Sequence, residues 1–279
     1  MQFGASMFFT DYSMTPAALA RALEERGFES VWAPEHSHIP AARLTPWGGG
    51  GELPKRYYDV MDPFVSLTMA AAATTTLLLG TGVCLLNQRD TIQTAKLVAS
   101  LDQVSGGRFL FGIGVGWNRE EMENHGTAFD TRAKLVRERV EAMKEIWTKS
   151  KAEYHGEFVD FAPIMAWPKP VQKPHPPILV GGAFPQGARR ALRYGNGWIP
   201  IAGRAPLEDA LVAFRGMAAE AGRDLAEVPV STFGAPEDLD TLRRYRDLGV
   251  SRVVVSLDSE KAATILPILD RWAALIRGL

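Results

Sequence analysis

The chain has 279 residues, 46% of them apolar, and a formal charge of -1. That is enough apolar material for one large core, and the balanced charge gives no electrostatic case for nucleic acid or an anionic membrane surface. A single cysteine, Cys84, leaves no internal disulfide and suits a reducing cytoplasm. No basic run precedes an apolar one at the start, so no signal peptide is expected.

Short apolar runs then alternate with amphipathic segments. Residues 3–9 read as a strand. Residues 15–26 read as a helix with Thr15 as cap, Pro16 at its first position and Gly27 as stop. Residues 30–33 form a second strand. The stretch from Pro63 to Gln88 carries no charge, but its threonines, its glycines and its change of pattern fit a buried helix running into a buried strand better than a membrane span. Asp62 caps that helix, and residues 77–86 are the third strand. A helix over 91–104, a strand over 108–113 and a helix over 131–147 follow. The last of these places Val136, Val140, Met143 and Trp147 on one face.

The rhythm breaks at Lys151. "AEYHGEFVDF" alternates like a hairpin, and the proline-rich residues 163–177 form an extended connection. Strands resume at 178–180, 198–201, 228–232 and 252–257. A last helix turns Ile265, Leu269, Trp272 and Ile276 inward. Eight strands alternating with helices predict one domain over residues 1–279. It is an α/β fold, a (β/α)8 TIM barrel with a hairpin and proline-rich insertion before the fifth strand. An open doubly wound sheet is the competing architecture.

In a barrel, chemistry gathers at the C-terminal ends of the strands. The second strand runs into "APEHSH", with Glu35, His36 and His38. A catalytic zinc there needs a third ligand from another strand end, and His125, His155 and His175 do not end strands; only Asp258 could contribute. Proton handling by His36, or simple packing, is left open. "GIGVGW" has Trp117 where a dinucleotide fingerprint needs glycine. "GGAFPQGARR" ends a strand in two glycines and opens a helix carrying Arg189 and Arg190, either a seat for a phosphate or an ordinary turn. The glycine-rich residues 40–58 could cover the mouth as a lid.

Together "SVWAPEH", "LGTGVCLLNQRDTIQTAKLVASLDQVSGGRFLFGIGVGWNREE" and "YHGEFVDFAPIMAWPKPVQKPHPPILVGGAFPQGARRALRYGNGWIP" resemble the luciferase-like superfamily of flavin and deazaflavin barrels. Within it the chain is most similar to the deazaflavin (coenzyme F420)-dependent oxidoreductases. The resemblance covers most of residues 1–200. It implies that a tricyclic ring lies in the barrel mouth against a bulge in the third strand, at Gly82, Val83, Cys84 and Leu85, with a non-prolyl cis peptide at Gly82–Val83. It implies Asn118 at the ring edge, and Gly181, Gly182, Ala183 and Phe184 at the cofactor phosphate. Glu35 and His36 match an acid–histidine pair beside the reactive ring, with His36 moving a proton and Glu35 holding a ring nitrogen or orienting the imidazole. Two positions depart from the pattern: Glu35 stands where aspartate is common, and Asn196 where an acid is.

The implied function is hydride transfer between coenzyme F420 and a small organic substrate, in a cytoplasmic homodimer. The alternatives are an FMN-dependent monooxygenase of the same superfamily and a catalytically weak cofactor-binding barrel.

Overall fold

The computed structural model describes residues 1–200 and 207–279. Its elements in chain order are β1 (Gln2–Met7), α1 (Pro16–Glu25), β2 (Ser30–Ala33), α2 (Pro63–Ala73), β3 (Leu78–Thr81), β4 (Cys84–Leu85), α3 (Thr91–Val104), β5 (Phe109–Gly114), α4 (Arg119–Asn124) and α5 (Arg132–Thr148). Then come β6 (Ala152–His155), β7 (Asp160–Ile164), β8 (Ile178–Gly181), α6 (Gln186–Tyr194), β9 (Gly197–Ile199), α7 (Leu207–Glu220), β10 (Val230–Phe233), α8 (Leu239–Asp247), β11 (Val250–Leu257) and α9 (Ala262–Arg277).

Parallel pairing runs β3–β2–β1–β11–β10–β9–β8–β5, and β5 returns to β3, so the sheet closes into a TIM barrel. β4 continues the third barrel strand and pairs with β5. The β6–β7 hairpin forms its own antiparallel pair ahead of β8. Helix starts follow the capping chemistry read from the sequence. Thr15 accepts from the Ala18 amide, Asp62 from Phe64 and Val65, and Asp90 from Gln93.

Alternation along the strands divides the core in two. Val253 and Val255 of β11 face the helices, while Val254 joins Trp32, Leu110, Leu179 and Ile199 inside the barrel. Trp32 fills the bore because its neighbouring strands carry glycine beside it. A Cβ on Gly80 would stand 2.2 Å from the indole, and one on Gly4 would stand 2.8 Å from its nitrogen. The indole N–H is satisfied by Ser30 Oγ at 2.8 Å. Among the described residues these side chains fill the bore, and a cleft opens above them at the C-terminal end.

Three sequence expectations are adjusted. The third strand is not continuous over 77–86, because the chain bulges at Gly82–Val83, where the peptide is cis. The first strand ends at Met7, and Phe8 turns into the mouth. The sixth barrel strand ends at Ile199, and residue 201 lies outside the described residues.

Candidate active site at the barrel mouth

The cleft has a volume of about 420 Å³. Its floor is set by the bulge. Val83 projects between the ends of β5 and β8, where a Cβ on Gly114 would stand 2.6 Å, and one on Gly181 3.0 Å, from the Val83 methyls. Glycine at both strand ends leaves the valine room to lie as a low apolar platform. Phe8, Trp47, Tyr57, Trp117 and Phe233 make the walls, so the space suits a flat ring.

Of the residues singled out in the sequence, Glu35, His36, Gly82, Val83, Leu85, Gly181, Gly182 and Ala183 line this cleft. Three do not. Cys84 points into the core, fully buried, and its thiol is pushed well up in pKa by burial and by the neighbouring Glu35. Asn118 is buried under the mouth as the N-cap of α4. Phe184 lies against Trp198, with ring centroids 6.3 Å apart. Trp117 takes the wall position expected of its neighbour Asn118.

The histidine's partner is also not the expected one. Residues 35 and 36 leave β2 on opposite sides. The Glu35 carboxylate turns toward β4, where it accepts the Leu85 amide at 2.7 Å and Arg89 Nε at 2.6 Å. His36 turns toward α4, and its Nδ1 lies 2.8 Å from Glu121 Oε2. The Trp117 indole donates to His36 Nε2 at 3.3 Å. An indole N–H can only donate, so Nε2 is the acceptor and Nδ1 carries the proton that meets Glu121. Behind this pair lies a second cavity of about 380 Å³, bordered by Ser37, Asp62, Gln88, Arg89 and His125. Glu35 and His36 border both spaces. Among the described residues no three His, Cys, Asp or Glu side chains are grouped to hold a metal ion.

The opposite end of the cleft is cationic. Gly182 has φ +146°, a conformation reserved for glycine, and a Cβ there would stand 2.7 Å from Arg190 Nη2. The guanidinium lies over the turn that opens α6. Its buried Nε has no partner among the described residues, and no side chain caps the helix. A cation with no carboxylate partner among the described residues, set over a helix N-terminus, is the chemistry of an anion seat.

Above the mouth, the segment over residues 40–58 supplies Trp47 and Tyr57, and the Tyr57 ring lies 5.3 Å from the His36 ring. Glu120 ties this segment to α4 by accepting the amides of Leu44 at 2.8 Å and Thr45 at 3.0 Å. Burial pushes the Glu120 pKa up, but the donors from Thr45 and Leu44 outweigh it and bring it to about 2.

A family model described as luciferase-like monooxygenase matches residues 15–236. The chain belongs to this luciferase-like family. Over 278 residues it is 39% identical to an uncharacterized protein of Mycobacterium tuberculosis, covering 98% of each chain. It is 30% identical over 211 residues to the F420-dependent hydroxymycolic acid dehydrogenase of the same organism, covering 74% of this chain and 54% of that one. The crystal structure of the monooxygenase RslO1 from Streptomyces bottropensis superposes with a TM-score of 0.82 at 20% identity, over 100% of this chain and 99% of that one. Among the described residues of this luciferase-like barrel no helix is long and apolar enough to cross a membrane.

Several members of the site, Glu121, Trp117, Phe233 and Arg89 among them, escaped sequence reasoning. Glu121 reads locally as the last residue of an Asn-x-x-Glu capping box, at the third helical position, a pattern that accounts for it without any tertiary role. Trp117 appeared only as a mismatch to a dinucleotide fingerprint.

Proposed function

We propose that this luciferase-like protein is a coenzyme F420-dependent oxidoreductase that exchanges a hydride between the deazaflavin and a small organic substrate. The observation that carries the reading is the shape of the cleft, a flat apolar floor that ends in a glycine turn beneath a guanidinium whose buried Nε has no partner among the described residues. It is a seat for a tricyclic ring bearing a phosphate. Gly82, Val83 and Leu85 would lie under the ring, with Cys84, Asn118 and Phe184 supporting from behind. Gly181, Gly182, Ala183 and Arg190 would hold the phosphate. When bound, the deazaflavin supplies the hydride chemistry. The chain supplies the rest: the aromatic walls exclude water, and His36 Nε2 exchanges a proton with the substrate atom beside it. Glu35, neutralised by Arg89, fixes the Leu85 amide and hence the bulge. The cofactor named for the hydroxymycolic acid dehydrogenase supports this choice.

Two copies pair through α2 in this reading. Its outer face presents Val65, Thr68, Met69 and Ala72 without a charge, and Val104 of the adjoining α3 is also exposed. A charge-free apolar face can meet its own copy about a two-fold axis without conflict.

Equilibrium dialysis against deazaflavin and FMN tests the cofactor. Retention of the deazaflavin is expected. Retention of FMN with loss of the deazaflavin would contradict the reading and favour an FMN-dependent monooxygenase.

A further inference from the structure

Glu121 is a fully buried ionisable group beside His36 that the proposed function leaves without a role. A glutamate at the third position of a capped helix ordinarily turns back to the N-cap amide. Here the carboxylate leaves α4 instead. Oε1 accepts the Ser37 amide at 3.1 Å, with Ser37 Oγ at 3.5 Å, and Oε2 meets His36 Nδ1 at 2.8 Å. The Glu121 side chain is fully buried, and that of His36 is 6% exposed. A buried carboxylate is tolerated only when its lone pairs are engaged, and these contacts engage both oxygens.

The other titratable and charged groups around the imidazole are committed elsewhere. Glu35 and Asp62 pair with Arg89. His125 meets Ser37 Oγ at 2.7 Å, as His38 does at 2.9 Å. Tyr57 offers the imidazole its ring. Among the described residues, Glu121 is the carboxylate left to His36.

We propose that Glu121 is the positioning residue of His36. It holds the imidazole with the proton on Nδ1 and the lone pair of Nε2 toward the mouth, and it offsets the charge when Nε2 takes a proton. The inference rests on the reading of His36 as the proton partner. In the step itself, an O–H or N–H of the bound substrate loses its proton to Nε2 and the ring becomes imidazolium. The Nδ1–H stays with Glu121, which remains a carboxylate, and the acquired proton leaves Nε2 for solvent once the mouth is vacated. Trp117 occupies Nε2 until a substrate displaces its indole N–H.

Glu121→Gln is the informative variant because its amide has one available orientation. The Ser37 N–H claims the amide oxygen, so the amide NH2 faces His36 and forces the ring proton onto Nε2. We expect deazaflavin affinity within about twofold of wild type, and turnover lower by roughly 10³–10⁴-fold, the scale of a wrong-tautomer defect in an acid–histidine pair. Glu121→Asp, which keeps the carboxylate, should recover part of that loss. Histidine ¹⁵N NMR on the cofactor-free protein, at alkaline pH and with the His36 signal assigned by its loss in His36→Ala, reads the tautomer directly. Wild type should carry the proton on Nδ1 and Glu121→Gln on Nε2. A wild-type proton on Nε2, or a variant with inverted tautomer and unreduced turnover, would overturn the proposal. If Glu121→Gln does not fold, the wild-type tautomer alone decides. If wild type binds no deazaflavin, the functional reading fails, while the tautomer still tests the role of Glu121.

Discussion

Replacing Arg190 by methionine removes, among the described residues, the charge at the far end of the cleft while keeping a long apolar stem. The guanidinium lies over Gly182, and its buried Nε lacks a partner among the described residues, so the fold should lose little. A hydrogen bond to a charged group contributes about 1.5–3 kcal/mol, which corresponds to roughly 10–150-fold in affinity. The loss should fall only on ligands that carry the phosphate. Fluorescence titration with FMN and riboflavin, and with the deazaflavin and its phosphate-free form, separates the two contributions. Arg190→Met should weaken the phosphorylated member of each pair by that factor and leave the other within about twofold. An equal loss for both members, or none, would refute the anion seat and remove the main support for orienting a cofactor in this cleft.

His36→Ala should leave cofactor binding near wild type and lower turnover by about 10²–10⁴-fold, the usual contribution of a positioned acid or base; unchanged turnover across pH would make His36 a packing residue. The Glu120 tether should be acid-sensitive. Its folded pKa of about 2 lies below the ordinary 4.5, so its hold is complete above 4.5 and is lost as pH falls through about 2. Because Glu24, accepting three amides near the base of β3, loses its hold in the same window, the readout belongs at neutral pH. There Glu120→Gln should expose Trp47 to acrylamide quenching, and unchanged quenching would contradict the tether. Val65→Asp should shift a dimer to monomer in sedimentation, and a wild type that sediments as a monomer would remove the α2 pairing.

The sequence was most legible where structure is local. Thr15, Asp62 and Asp90 act within three residues of themselves, and β2 and α3 fall where their patterns end. The break at Gly82–Val83 has no local signature, since a bulged strand and a straight one carry the same apolar run; only the resemblance placed it. Asn118 shows the opposite case. A polar side chain just past a strand end suggests contact with a ligand, but the nearby helix start claims it as a cap. Partner choice was least legible. Glu35 stands next to His36 in the chain, yet the imidazole pairs with Glu121, 85 residues away, because successive residues diverge from a strand end. Such pairings belong to the packing of α4 against the end of β2, and no periodicity encodes them.

On the proposed function, a hydride passes between a bound deazaflavin and substrate in the mouth, with His36 handling the proton. Anaerobic single turnover of protein-bound deazaflavin, followed by absorbance against a panel of ketones and secondary alcohols, tests it most directly. A redox change is expected on mixing with a substrate that fits the aromatic walls, slowed by about 10²–10⁴-fold in His36→Ala at equal cofactor occupancy. Deazaflavin that stays unchanged across the panel, in a protein that instead consumes oxygen with reduced FMN, would contradict it.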